Sequence, residues 1–139
     1  ARAIDWAPGD GALWIASGWQ DGSGLLNAVP AVRAGGRRGI ITARYGLPDG
    51  RPPSAALFYR GDVMQDWQGD LLVALPANGQ LLRLQLEAGD STRVASTEIV
   101  LNESAGRIRA LALDAEGVLY VANDHQLLTV SRAAAPRLP

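Results

Sequence analysis

The chain has 139 residues, 47% of them hydrophobic and 19% charged, which is the balance of one ordinary globular domain. Its net charge is −1, and no apolar run approaches the roughly 20 residues that cross a bilayer, so the sequence favours neither nucleic acid nor a membrane as a partner. The absence of cysteine and of lysine excludes disulfides, thiolate metal sites and lysine chemistry within this chain.

One sequence pattern occurs three times: a glycine, a variable residue, three large apolar residues and an alanine. The copies are residues 11–16, 69–74 and 117–122. Short apolar runs bounded by turn residues predict strands that are buried on both faces. Sixteen glycines and eight prolines indicate many turns, which favours β-structure over helices.

Further predicted strands flank each copy. Asn78-Gly79 predicts a tight hairpin in the middle unit, because such turns need φ > 0, and Asn123 with Asp124 predicts the corresponding turn in the last unit. The longest predicted loops are 31–54 and 61–69. In chain order, the predicted strands are 3–7, 11–16, 24–29, 55–59, 69–74, 80–86, 92–101, 108–113, 117–122 and 126–130.

A four-stranded antiparallel meander that repeats at intervals of 58 and 48 residues is typical of a β-propeller blade. The predicted fold class is therefore all-β, a β-propeller segment of about three four-stranded blades with approximate boundaries 1–53, 54–104 and 105–139. An ordinary sandwich or barrel, with chance similarity between its strands, is the alternative.

Three blades do not close a ring, because closed propellers have roughly four to eight. Residues 1–6 also read as a strand already under way. We therefore expect the remaining propeller blades to come from the same polypeptide, from a second copy or from another subunit.

Several segments resemble, in order and over nearly the whole chain, the late blades of soluble PQQ-dependent aldose sugar dehydrogenases, the glucose/sorbosone dehydrogenase family. The resemblance implies a six-bladed parent propeller that holds PQQ and calcium at the mouth of its channel and oxidises an aldose to a lactone. It also implies a periplasmic or secreted location. The segments that carry it are 3–14, 57–62, 67–73, 81–84, 106–109 and 117–121.

Arg107 and Arg109 are the candidate cofactor-binding residues. Positions i and i+2 of a strand face the same way, so their guanidinium groups are expected side by side, where they would clamp carboxylates in bidentate fashion. The pair also matches the family's Arg-x-Arg motif, and the resemblance implies contact with PQQ. Two solvated arginines at the start of a strand are the alternative.

Other positions depart from the family pattern. By the resemblance, Ala77 replaces a cofactor-binding lysine, residues 17–24 replace a His-Gly-Pro-rich loop near calcium, with Asn27 retained beside it, and Arg38 lies where the family has an aromatic wall. The family's catalytic histidine belongs to an earlier blade, so we assign no catalytic residue and no metal ligand to this chain.

These departures favour a degenerate homologue that serves as a binding or assembly module, with PQQ and calcium expected only in the parent fold. The alternative is a genuine segment of a quinoprotein that oxidises aldose sugars with PQQ and calcium.

Three further groups are interpreted as structural. His125, the single histidine, lies in a predicted hairpin turn that offers neither a pocket nor an orienting partner, so it is expected to be a surface residue. The Gly-Arg-rich stretch 35–39 lacks a strand-to-helix context and is expected to be a loop. Asp62, Asp66 and Asp70 have no calcium-loop spacing, and Asp62 and Asp70 are expected to form turns.

Overall fold

The computed structural model describes residues 3–8, 12–18, 24–29, 43–47, 51–76, 79–102 and 106–130. These residues form β-strands and one turn of 3-10 helix, Gln65–Trp67, and no α-helix is found among them. No helix in this part of the chain is long and apolar enough to cross a membrane. The strands are β1 Ala3–Trp6, β2 Leu13–Gly18, β3 Gly24–Val29, β4 Ala43–Gly46, β5 Ala55–Phe58, β6 Leu71–Leu75, β7 Gln80–Glu87, β8 Asp90–Asn102, β9 Ala110–Leu113, β10 Leu119–Ala122 and β11 Leu127–Val130.

The strands form three antiparallel meanders in chain order, as predicted. Strands β1 to β4 form the first blade and β5 to β8 the second, while β9 to β11 form the third, which has three strands within the described residues rather than four. The first strands of neighbouring blades lie next to each other, β1 beside β5 and β5 beside β9. This radial succession confirms the predicted all-β blade architecture.

All five residues of strand β6 are buried, as the repeat pattern predicts for a strand that is covered on both faces. Leu71, Val73 and Leu75 belong to the core between the first and second blades. Leu72 and Ala74 belong to the core between the second and third blades. Because successive strand residues point to opposite faces, one apolar run fills two cores.

Polar groups join neighbouring blades. Phe58 N donates to the Asp5 carboxylate at 2.8 Å, which ties β5 to β1. The buried Tyr59 hydroxyl donates to Gly117 O at 2.6 Å and accepts from Met64 N at 3.0 Å. The backbones of the second and third blades also meet directly, since a Cβ on Gly117 would lie 2.7 Å from the Cα of Gly61.

The faces of the first and third blades that point away from the second carry exposed apolar side chains. On the first blade these are Ile4, 60% exposed, and Trp6, 56% exposed. On the third blade, Leu127 is 68% exposed. These two faces are defined by alternate residues of their strands, because Asp5 between Ile4 and Trp6 points to the second blade instead.

Two expectations differ from the structure. The stretch 31–54, predicted as a loop, contains β4, which pairs with β3 from Ala28↔Ala43 to Leu25↔Gly46. The strand predicted at 108–113 begins at Ala110, so Arg107 and Arg109 lie in the segment that leads into β9 rather than on the strand itself. The predicted positive φ at Gly79 is confirmed, at 61°.

Candidate functional site

The meander topology places successive connections at alternate ends of the blades. The carboxyl ends of β6, β8 and β10 therefore lie at one end of the blades, which we call the arginine end. The connections β5–β6 and β7–β8 lie at the opposite end. Candidate residues that are far apart in sequence are thus brought to the same end.

Ile108 determines how the two candidate arginines are presented. Its side chain is fully buried in the core between the second and third blades, and its carbonyl accepts a hydrogen bond from the Ser54 hydroxyl at 2.7 Å. Arg109 N donates to Ala122 O at 2.7 Å, which holds the segment against β10. Because Ile108 points inward, Arg107 and Arg109 on either side of it are both exposed.

A carboxylate faces this pair. Arg109 Nε donates to Asp124 Oδ1 at 2.6 Å, and the two side chains are 53% and 40% exposed. This hydrogen bond lowers the pKa of Asp124, and the charges of Arg109, Arg107 and His125 act in the same direction. The geometry brings the two predicted residues together and adds a third, Asp124, which the sequence had assigned only to a turn.

The turn that carries Asp124 is closed by its neighbour. Asn123 Oδ1 accepts hydrogen bonds from the backbone N of His125 at 2.8 Å and of Gln126 at 2.7 Å, and Asn123 N donates to Gln126 O. His125 is exposed in this turn, as expected. The predicted hairpin is confirmed, with Asp124 and His125 at its centre.

Other residues singled out by the sequence do not join this site. Asn27 is buried in the middle of β3, where it pairs with Ile15 and Arg44. Asp70 is buried and bonded to Arg83 Nε at 2.6 Å, and Asp62 accepts a hydrogen bond from Gln68. The predictions for Ala77, Arg38 and the stretches 19–23 and 35–39 lie outside the described residues.

The opposite end has a cleft of about 490 Å³ between the first and second blades. Asp70, Glu87 and Asp90 line it, together with Ala7 and Gln68. Two of these carboxylates already have partners, since Asp70 is bonded to Arg83 and Asp90 accepts from the Thr92 hydroxyl. In the described part of the chain, no group of three or more His, Cys, Asp or Glu side chains is placed to hold a metal ion.

The fold and the site together define a segment of a β-propeller with an exposed arginine pair at the end of its third blade. The family model for glucose/sorbosone dehydrogenase matches residues 26–131. The chain therefore belongs to the glucose/sorbosone dehydrogenase family. None of the curated proteins matches the sequence significantly.

Solved structures agree with this family. A glucose dehydrogenase shares 26% identity at a TM-score of 0.72 over 95% of this chain, and an oxidoreductase from Thermus thermophilus, described as a glucose dehydrogenase, shares 29% at 0.58 over 86%. The PQQ-bound aldose sugar dehydrogenase of Streptomyces coelicolor, 21% identical over 86% of the chain at a TM-score of 0.58, has the same fold. The chain spans 40% of the first of these proteins and 36% of the other two.

Proposed function

We propose that this chain supplies three blades and a carboxylate-binding arginine pair to a propeller of the PQQ-dependent sugar dehydrogenase type, and that its own residues serve binding and assembly rather than catalysis. The observation that carries this proposal is the shared exposure of Arg107 and Arg109 on either side of the buried Ile108. The ligand we propose is PQQ, whose carboxylates suit paired guanidinium groups.

The donor set fits the anionic part of PQQ. Guanidinium groups stay protonated over the whole physiological pH range, and their planar forks match carboxylates. Bound PQQ would supply the quinone that accepts a hydride, whereas Arg107 and Arg109 hold and orient its carboxylates. Among the described residues, no group of three or more His, Cys, Asp or Glu side chains is placed to hold a metal ion, and we assign calcium no ligand in this chain.

Proton transfer is not assigned to His125. A general base needs to reach the proton it takes, and His125 lies exposed at the centre of a hairpin turn. A binding role is supported instead by the degenerate positions predicted from sequence, Ala77 foremost.

A second candidate is a genuine segment of a quinoprotein that oxidises aldose sugars to lactones with PQQ and calcium. The identities of 26% and 29% with two glucose dehydrogenases favour it. Under either candidate, we propose that the remaining blades, from the same polypeptide, a second copy or another subunit, cover the free faces of the first and third blades. A periplasmic or secreted location belongs to the same proposal.

Titration of the purified chain with PQQ, followed by quenching of tryptophan fluorescence, tests the proposal. Arg107→Ala and Arg109→Ala should each weaken binding about tenfold or more, because each removes a charge-assisted hydrogen bond. The matched control is Arg93→Ala, which removes an exposed arginine on β8, near the opposite end. Equal affinity in all variants would refute the arginine pair as the binding site.

Dye reduction by glucose, measured with PQQ, calcium and the remaining propeller blades present, separates the two candidates, because the family's catalytic histidine belongs to an earlier blade. Bound PQQ without dye bleaching supports the binding module. Bleaching that requires Arg107 and Arg109 supports the quinoprotein segment instead.

A further inference from the structure

The arginine pair has a built-in counter-ion. Asp124 comes from the β10–β11 turn, 15 residues after Arg109, and its Oδ1 accepts from Arg109 Nε at 2.6 Å. Arg107 is exposed two residues before Arg109, and its charge also lowers the pKa of the same carboxylate. A protein carboxylate therefore occupies part of the position that a ligand carboxylate would take.

The turn does not need this carboxylate for its own geometry. Its hydrogen bonds are made by the Asn123 side chain and by the backbone of Asn123 and Gln126. The Asp124 side chain instead reaches across to the segment before β9. The backbone of the turn thus fixes the position of Asp124, whereas its carboxylate contacts Arg109 of the arginine pair.

The net charge of Arg107, Arg109 and Asp124 determines which anions bind. Two guanidinium groups and one carboxylate leave a single net positive charge, so an incoming anion meets half the charge that the pair alone would offer. The anion also competes with Asp124 for Arg109. A ligand with a single carboxylate gains little from this exchange. A ligand with two or three carboxylates binds both arginines, which offsets the loss of the ion pair between Arg109 and Asp124.

We infer that Asp124 determines the affinity and selectivity of the arginine pair: it weakens binding of all carboxylates and restricts the site to ligands that carry several. This inference rests on the proposed function in that the same pair is the binding site. Asp124 is thus the residue that sets the selectivity, and anions with several carboxylates are the class that the site accepts.

The test uses citrate and acetate as probes, detected by the NMR signals of the arginine Nε–H groups in the full chain. Asp124→Asn keeps the size of the side chain and removes its charge, so citrate affinity should rise about fivefold at low ionic strength. The gain should shrink in high salt, because the pair is exposed and screened. Acetate, whose binding to wild type is expected to be too weak to detect, should become detectable in the variant.

Asp90→Asn is the matched control, because Asp90 is paired with Arg93 at 3.5 Å near the opposite end of the blades. It should leave citrate affinity unchanged. If Asp124→Asn leaves citrate affinity unchanged or lowers it, Asp124 is only a structural ion-pair partner and the inference is wrong. Asp124→Ala gives the same reading if Asp124→Asn does not fold.

PQQ titrations of the same variants separate this inference from the proposed function. If PQQ affinity falls in Arg107→Ala and Arg109→Ala while Asp124→Asn leaves citrate and PQQ affinity unchanged, the proposed function stands and the inference falls. If citrate binding responds to Asp124→Asn but PQQ binding ignores both arginines, the inference stands and the PQQ site lies elsewhere.

Discussion

Asp114 closes the turn between β9 and β10 with its side chain. Its Oδ1 accepts hydrogen bonds from the backbone N of Glu116 and of Val118, each at 2.9 Å. The bond from Val118 contributes most to lowering the pKa of Asp114 below its ordinary value of 3.8. A carboxylate whose pKa is lowered by folding stabilises the folded state only while it is ionised.

Asp114→Asn should therefore reduce the free energy of unfolding at pH 7, because an amide oxygen accepts these hydrogen bonds without a charge. The difference from wild type should stay constant above about pH 5 and shrink as the pH falls below 3.8, towards the lowered pKa. Urea unfolding of both proteins between pH 7 and pH 3 measures this. A difference that is independent of pH would contradict the assignment.

Asp70 acts in the opposite direction. Burial raises its pKa above 3.8, and the hydrogen bond from Arg83 only partly opposes this effect. The folded state then holds the proton more tightly than the unfolded chain. The contribution of Asp70 to stability consequently decreases as the pH rises from 3.8 through its raised pKa.

At the scale of elements, β6 and β8 contrast in how far their residues are buried. Every residue of β6 is buried, whereas β8 is the outermost strand of the second blade and most of its residues are exposed. Leu72, fully buried, faces the core between the second and third blades. Ile99 on β8 is 48% exposed.

Leu72→Ala should lower the free energy of unfolding by about 2–5 kcal/mol, because it leaves a cavity in a packed core. Ile99→Ala, its control on the outer strand, should cost about 0.5 kcal/mol or a little more. Denaturant titration of both variants checks the contrast. Similar losses would show that the second blade is not packed against the third in solution.

The sequence predicted every strand in the described residues except β4. Strand β4, Ala43-Arg44-Tyr45-Gly46, has no apolar run and becomes a strand because it pairs with β3, which is a tertiary effect. The arginine pair was proposed from its motif. Asp124 was not among the sequence candidates because it follows Arg109 by 15 positions, although the alternation of connections in a meander could have placed both at one end.

At the scale of the whole molecule, the free faces of the first and third blades bear on association. Exposed apolar side chains grouped on the face of a sheet favour contact with another protein surface. Ile4 and Trp6 lie on one such face and Leu127 on the other. In a closed propeller, blades of the family would cover both.

We expect the isolated chain to self-associate, and Trp6→Glu combined with Leu127→Glu to reduce its average mass in solution, because charges oppose burial of these faces. Sedimentation velocity at micromolar concentrations measures this. Ile99→Glu, an exposed apolar position on the outer strand, should leave the mass unchanged. A folded wild-type monomer would contradict the expectation.

The alternation of side chains along β6 determines which mutations the second blade can accept. Odd-numbered residues of β6 face the first blade, and even-numbered residues face the third. A substitution in one set therefore alters the packing against one neighbouring blade and leaves the packing against the other intact. A one-residue insertion in β6 would turn each set towards the opposite blade and disrupt the packing against both neighbours at once. Such blades therefore tolerate substitutions far better than single-residue insertions.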